Sequence, residues 1–158
     1  MKKVLFICLG NICRSPAAEG IMKSLVLQNN LQEEISVDSA GTIGYHTGES
    51  PDPRMFNQAL ARGYELKHKA RKFNADKDFR EFDYIVTMDD QNYIDIMNLD
   101  KKNQYSSKIY KMADFSSDQN VKTVPDPFDG GLEAFDRVID ILKDSCANLL
   151  HKITDDIK

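Results

Sequence analysis

Apolar residues along this chain follow two patterns, short continuous runs and recurrences at every third or fourth position. Residues 3–8 (KVLFIC) are an almost continuous apolar run, typical of a strand that is buried on both faces. Ser15 and Pro16 then favour a helix start, because the hydroxyl can cap and proline needs no amide hydrogen. One face of this helix should pack inward, since its apolar residues recur at helical spacing: Ala18, Ile21, Met22, Leu25 and Val26.

The two patterns continue to alternate along the rest of the chain. The segments "EISVDSAG", "EFDYIVTMDDQN" and "SSKIYKMADF" predict three more strands. Helices are predicted from Pro53 to Gly63, over residues 93–99, and in a last segment whose apolar residues step by three and four between Phe135 and Ile153. This order predicts an α/β fold: a single domain with a four-stranded parallel sheet and helices on both faces. In such folds ligands bind outside the carboxyl ends of the strands, and Cys8 ends the first strand.

Length and composition narrow the class of protein. A chain of 158 residues suits one domain, here residues 1–158. The net charge of -4 argues against a nucleic-acid partner and gives no reason to expect membrane binding. No secretory leader is expected, because the apolar run after the first residues is short. Three cysteines do not make a disulfide framework, so we expect a reducing, cytoplasmic location.

The loop after the first strand, "CLGNICRS", combines a thiol with groups that bind anions. A loop that leads into a helix N-terminus points several backbone N–H groups into one concavity. Gly10 permits a left-handed turn or a close approach there, and Asn11 also tolerates the left-handed conformation. Arg14 adds a planar fork that matches two phosphate oxygens. The same positive surroundings favour a thiolate on Cys8, to which Ser15 could donate a hydrogen bond, so the loop suits attack by sulfur on a phosphoryl group.

The bare C-x5-R pattern is only moderately specific, since it arises by chance roughly 0.1 times in a chain of this composition. The alternative interpretation is a buried cysteine at a strand end and an unrelated surface arginine. The position at a strand-to-helix junction, together with glycine, asparagine and serine, favours the phosphate-binding interpretation.

The departing oxygen of a phosphate ester needs a proton, and "VPDPFDGG" offers a donor. Pro125 and Pro127 stiffen a loop that presents Asp126, which we expect to be the general acid. A turn-forming aspartate before proline is the alternative interpretation. Asp129 is a second candidate that the loop by itself does not exclude.

Five segments resemble the low-molecular-weight protein tyrosine phosphatases, in family order and spacing: "VLFICLGNICRSPAAEG", "DSAGTIGYHTGESPDPR", "HKARKF", "FDYIVTMDDQN" and "VPDPFDGG". The resemblance implies a hydrolase of phosphotyrosine proteins and aryl phosphates that works through a phosphocysteine, without metal or organic cofactor. It assigns Cys8 as nucleophile, Arg14 as phosphate binder and Asp126 as acid and then base. The loop that would bind phosphate or other oxyanions comprises Leu9, Gly10, Asn11, Ile12, Cys13, Arg14 and Ser15.

The resemblance also implies supporting positions outside the loop: Ser39, His68, Arg71 and Asp89. Asn11 should hold the shape of the loop through bonds to Ser39 and Ser15, with His68 in the same network. Without the resemblance, His68 would be read as a surface histidine. Arg71 and Asp89 would be read as a solvated charge and a helix cap.

The walls of the pocket follow from the same resemblance. Tyr45 falls where the family places an aromatic wall, and Ile12 forms another side. The family often has two adjacent tyrosines after the Asp-Pro pair, and this chain has Phe128 and Asp129 instead. Phe128 can still line the pocket, whereas Asp129 adds a negative charge at the rim that should disfavour acidic peptides.

The other two cysteines carry separate expectations. The resemblance implies that Cys13 can form a disulfide with Cys8 and so protect it from over-oxidation, and the alternative is a small packing thiol. Cys146 lies on the apolar stripe of the last helix and is expected in the core.

Related activities require residues that differ from those in this chain. Arginine phosphatases of this fold have threonine where Ile12 stands, and arsenate reductases need a distal pair of cysteines. A phosphocarrier does not need both Arg14 and Asp126, and a module that only binds phosphotyrosine has no use for a reactive thiol.

Overall fold

The sheet is the element that positions the site. The computed structural model describes residues 1–158. Its single four-stranded sheet has the order β2-β1-β3-β4, with every pair parallel. The strands are β1 (Lys2–Cys8), β2 (Ile35–Gly41), β3 (Tyr84–Thr87) and β4 (Ile109–Lys111). The predicted α/β fold with a four-stranded parallel sheet is confirmed.

Five α-helices connect and cover the strands: α1 (Arg14–Gln28), α2 (Pro53–Ala61), α3 (Asp78–Glu81), α4 (Asp90–Leu99) and α5 (Leu132–Ile157). Two 3-10 turns, Ser106–Lys108 and Met112–Phe115, flank β4. The sequence did not predict α3, because one helical turn is too short to show a periodic pattern. None of the helices combines the length and the apolar composition needed to cross a membrane.

The start of α1 differs from the expectation. The predicted capping role of Ser15 is wrong, because α1 begins at Arg14, and Cys13 occupies the N-cap without a side-chain hydrogen bond. Ser15 therefore lies inside the first turn. Its hydroxyl is used by Cys8 and Asn11 instead of by the helix amides.

Successive side chains of β1 point to opposite sides of the sheet, so they pack into two separate apolar clusters. Val4 and Phe6 pack with residues of α1, α2 and α5. Leu5 and Ile7 pack with residues that include Phe79 of α3 and others of α4. Helices thus cover both faces, as predicted, and β1 is held rigidly where it delivers Cys8 to the edge of the sheet.

Candidate active site

The loop between β1 and α1 follows an unusual backbone path. Asn11 takes the left-handed conformation, with φ of 60°. Gly10 is needed for close approach, because a Cβ there would lie 2.9 Å from Cδ2 of His46. Gly41, at the end of β2, lets the loop pass, because its Cβ would lie 2.7 Å from the carbonyl oxygen of Leu9. Close packing against two neighbours therefore fixes the path of the loop.

Asn11 holds this conformation through its side chain, which is 1% exposed. Its Nδ2 donates to the hydroxyls of Ser15 at 2.8 Å and Ser39 at 3.0 Å. Its Oδ1 accepts from Nε2 of His68 at 2.7 Å and from the backbone N–H of Arg71 at 2.9 Å. The structure thus brings together the members of the expected network, and this network offsets the backbone strain.

Glu19 extends the network beneath the loop, and the sequence did not single it out. Its Oε1 lies 3.1 Å from Nδ1 of His68 and accepts from the Ser39 hydroxyl at 2.6 Å. Burial alone would raise the pKa of Glu19. The hydrogen bond and charge of His68, with Lys23 and Ser39, outweigh that effect and hold the pKa below its ordinary value. The sequence feature that could have pointed to Glu19 is its place as an acidic residue among the apolar residues of α1.

Glu19, Asp38 and His68 are the residues that could hold a metal ion, since their ligand atoms lie within 4.8 Å of one another. Both oxygens of Glu19 and Nε2 of His68 already make hydrogen bonds within the protein. The hydrogen-bond network therefore accounts for the cluster.

Cys8 lies where β1 ends, and its Sγ is 2.9 Å from the hydroxyl oxygen of Ser15. That oxygen already accepts from Asn11, so its own hydrogen is free to be donated to the sulfur. The sulfur also lies close to the N-terminus of α1, where the helix dipole is positive. Both features place groups that interact favourably with negative charge beside the Cys8 sulfur.

Arg14 is 3% exposed and is held by two partners. Its Nη1 donates to Oδ2 of Asp89 at 2.7 Å and to the carbonyl oxygen of Val124 at 3.0 Å. Its Nη2 lies 3.8 Å from Oδ2 of Asp126. Asp89 also caps α4, since its Oδ1 accepts from the N–H of Asn92. Both interpretations of Asp89, helix cap and support for the arginine, therefore describe the structure.

Arg71 is not a solvated charge. Its guanidinium reaches Asp78 at 2.9 Å and Asp38 at 3.1 Å, and its backbone N–H holds Asn11. Asp78 itself is buried. Arg71 therefore anchors the segment after His68 against the loop between β1 and α1.

A cavity of about 200 Å³ opens beside the loop between β1 and α1. It is lined by Cys8, Leu9, Gly10, Ile12, Cys13, Arg14, Ile43, His46, Asp126, Phe128 and Asp129. The lining includes Ile12 and Phe128, as expected for the walls. Cys8 and Arg14 both belong to this lining.

Tyr45 does not line this cavity, contrary to the expectation, because its side chain is 81% exposed. Its ring instead packs edge-on against His46, with the ring centroids 4.8 Å apart. His46 takes the wall position, since its ring fits over Gly10 and its Nδ1 lies 2.9 Å from Oε2 of Glu49. The spacing of residues in a long loop does not reveal which of two neighbours points inward.

Two further cavity residues bear on the chemistry. Asp126 is about half exposed, and its Oδ1 accepts from the N–H of Phe128 at 3.0 Å.

Burial, followed by the negative charge of Asp52, raises the pKa of the Cys13 thiol well above neutrality. Cys13 is therefore a neutral thiol beside Cys8, and both are free in this structure.

The chain is similar in sequence and in fold to known proteins of one family. Residues 3–158 match the family model of the low molecular weight phosphotyrosine protein phosphatases. A Synechocystis protein is 48% identical over 148 residues, which is 94% of each chain. It is named as a low molecular weight protein-tyrosine-phosphatase. A crystal structure of a protein tyrosine phosphatase from Entamoeba histolytica, with Hepes in its active site, is 44% identical. It covers 100% of both chains with a TM-score of 0.95.

The same fold also occurs in a Drosophila arginine phosphatase. Its crystal structure is 33% identical, covers 97% of this chain and 98% of its own, and has a TM-score of 0.89. The family match over nearly the whole chain, and the identities of these relatives, decide the assignment. This chain belongs to the low molecular weight phosphotyrosine protein phosphatase family, and it is a phosphatase.

Proposed function

We propose that this phosphatase hydrolyses phosphotyrosine in proteins, and small aryl phosphates, through a phosphocysteine on Cys8. The observation that carries the proposal is the placement of the Cys8 sulfur, 2.9 Å from the Ser15 hydroxyl, in one cavity with the Arg14 guanidinium. A nucleophile, a hydrogen-bond donor to it and a cation for the phosphate then share one site.

In the first step, the backbone N–H groups of residues 9–15 and the guanidinium of Arg14 bind the phosphate oxygens. The Cys8 thiolate attacks phosphorus, so an S–P bond forms as the bond to the aryl oxygen breaks. Asp126 gives its proton to that oxygen, and the phenol departs.

In the second step, water attacks the phosphocysteine. The Asp126 carboxylate takes a proton from the water, the S–P bond breaks, and inorganic phosphate leaves with the Cys8 thiolate restored. Apart from the attacking water, every catalytic group in the two steps is a side chain or backbone amide of the protein, so the proposed reaction uses neither a metal ion nor an organic cofactor.

The walls of the cavity support an aryl substrate. Ile12, His46 and Phe128 are apolar or aromatic groups that suit a flat ring attached to the phosphate. Phosphoarginine is the rival substrate, because the Drosophila relative is an arginine phosphatase. Ile12 offers no acceptor for a guanidinium, which favours phosphotyrosine. The three free, buried thiols are consistent with a reducing, cytoplasmic location, which we also propose.

The test is the release of phenolate from aryl phosphates and of phosphate from a phosphotyrosine peptide. Cys8→Ser should abolish activity, and Asp126→Ala should lower it about 10²- to 10⁴-fold, the usual contribution of acid–base catalysis. Cys146→Ser is the matched control, because Cys146 is a buried thiol of α5 outside the cavity. Turnover by Cys8→Ser at the wild-type rate would refute the proposal, and preference for phosphoarginine would assign the chain to the rival substrate.

A further inference from the structure

We infer that Arg54 is a positioning residue that holds the loop carrying Asp126 in register with the loop carrying Cys8. The inference rests on the proposed function, since it concerns the residue to which that function assigns the proton transfer. Arg54 lies in the first turn of α2 and does not line the cavity, so it would act only through its neighbours.

On one side, Arg54 is fixed to the phosphate-binding loop through Asp52. The guanidinium binds the Asp52 carboxylate with two bonds, from Nε at 3.1 Å and from Nη2 at 2.9 Å. The backbone N–H of Asp52 donates to the carbonyl oxygen of Ile12 at 2.8 Å. A bidentate pair of this kind fixes the plane of the guanidinium as well as its position.

On the other side, Arg54 holds the loop of the general acid. Its Nη1 donates to the carbonyl oxygen of Phe128 at 2.8 Å. Its guanidinium also lies over two aromatic rings, 5.1 Å from the centroid of Phe128 and 4.7 Å from that of Phe135 in α5. The N–H of Phe128 in turn donates to Asp126. One continuous series of contacts thus runs from Ile12 to the carboxylate of Asp126.

Few other polar contacts tie this loop to the rest of the protein, although Pro127 is buried. Between residues 125 and 130, the bond from Arg54 to the Phe128 carbonyl is the one hydrogen bond that reaches another element. The remaining polar tie is the 3.8 Å contact between Asp126 and Arg14. Loss of the Arg54 contact should therefore leave the loop free to move. Even a small displacement of a catalytic group lowers the reaction rate strongly.

The experiment compares Arg54→Gln with wild type over a series of aryl phosphates with increasingly basic leaving groups. A misplaced general acid matters most when the leaving oxygen is strongly basic. We therefore expect kcat/KM to fall ~10- to 100-fold for phenyl phosphate. For p-nitrophenyl phosphate we expect a change of less than about 2-fold, because this leaving group needs little protonation. Arg54→Lys should show the same dependence, since a lysine keeps the charge but cannot form the fork.

Arg62→Gln is the matched control. Arg62 follows α2, about 12 Å further along the helix axis. It also joins α2 to α5, through Asp136 and Asp140, without touching the cavity. It should leave the dependence on the leaving group unchanged. Combining Arg54→Gln with Asp126→Ala should add little to the defect of Asp126→Ala alone, because both changes remove one function.

The outcomes separate the inference from the proposed function. If Asp126→Ala does not steepen the dependence on the leaving group, the proposed role of Asp126 fails. If it does, the inference is overturned by any of three results. These are an equal loss for all aryl phosphates in Arg54→Gln, full additivity in the double variant, and full restoration of wild-type behaviour by Arg54→Lys.

Discussion

The carboxylate of Asp89 holds the guanidinium of Arg14 at 2.7 Å, with the arginine almost fully buried. The other oxygen of Asp89 caps α4 through the N–H of Asn92 at 2.7 Å. One side chain therefore stabilises a helix and orients the proposed phosphate-binding group. The two roles can be separated, because asparagine caps a helix about as well as aspartate but carries no charge.

Asp89→Asn and Asp89→Ala should both lose the ion pair with the buried Arg14, and only Asp89→Ala should also lose the helix cap. We therefore expect Asp89→Ala to be about 1 kcal/mol less stable than Asp89→Asn, because asparagine keeps the cap. We expect kcat/KM to fall about 10- to 100-fold in both variants, because the charge-assisted hydrogen bond to Arg14 is lost. Urea unfolding and aryl phosphate kinetics measure the two effects, and equal stability of the two variants would contradict the separation.

Asn11→Ala tests the network that shapes the loop. The change forces alanine into a left-handed conformation and removes partners from Ser15, Ser39, His68 and the Arg71 amide. We expect a loss of about 2–4 kcal/mol in the free energy of unfolding. Asn11→Gly should lose about 1 kcal/mol less, because glycine accepts the positive φ without strain. Equal losses in the two variants would show that the backbone conformation is not strained.

The three thiols should differ in reactivity. Burial, followed by the charge of Asp52, raises the pKa of Cys13, and burial alone raises that of Cys146. Both remain protonated at neutral pH, whereas the Cys8 sulfur has the Ser15 hydroxyl and the N-terminus of α1 beside it. Iodoacetate should therefore label Cys8 first, and inorganic phosphate should protect it. Fragment-ion mass spectrometry distinguishes Cys8 from Cys13 in one peptide, and prior labelling of Cys13 would be the contrary result.

The acid stability of the protein should depend in part on Glu19, whose pKa is lowered from 4.5. Burial acts in the opposite direction, but His68, Lys23 and Ser39 outweigh it. A carboxyl whose pKa is lower in the folded state stabilises the protein at pH values above the pKa of the unfolded state. This contribution disappears as the pH falls through the pKa of the folded state.

The difference in unfolding free energy between wild type and Glu19→Gln should therefore be largest at neutral pH. It should narrow as the pH falls below 4.5. Urea unfolding at a series of pH values measures it. A difference that stays constant or widens towards acid would contradict the assignment of a lowered pKa.

The sequence predicted those parts of the site that depend on local patterning. The run that ends at Cys8, the loop up to Arg14 and the strand–helix alternation follow from residue spacing, and the resemblance supplied the contacts of Asn11. The choice between His46 and Tyr45 could not be predicted, because it depends on how a long loop packs over Gly10.

Two other features also depend on tertiary contacts. Glu19 becomes informative only when His68 is brought beside it from a distant segment. The contact of Arg54 with the Phe128 carbonyl joins residues 74 positions apart. Neither contact can be predicted from the sequence alone, because each joins segments that only the fold brings together.

The proposed covalent step can be observed directly. Asp126→Ala should still accept a phosphoryl group from p-nitrophenyl phosphate, because this leaving group departs without a proton donor. The variant should then lose this phosphoryl group slowly, because no base activates the attacking water. A rapid denaturing quench during turnover, followed by peptide mass spectrometry with fragmentation, should find one phosphoryl group on Cys8. A burst of turnover without any modified Cys8, or a phosphoryl group on another side chain, would contradict the mechanism.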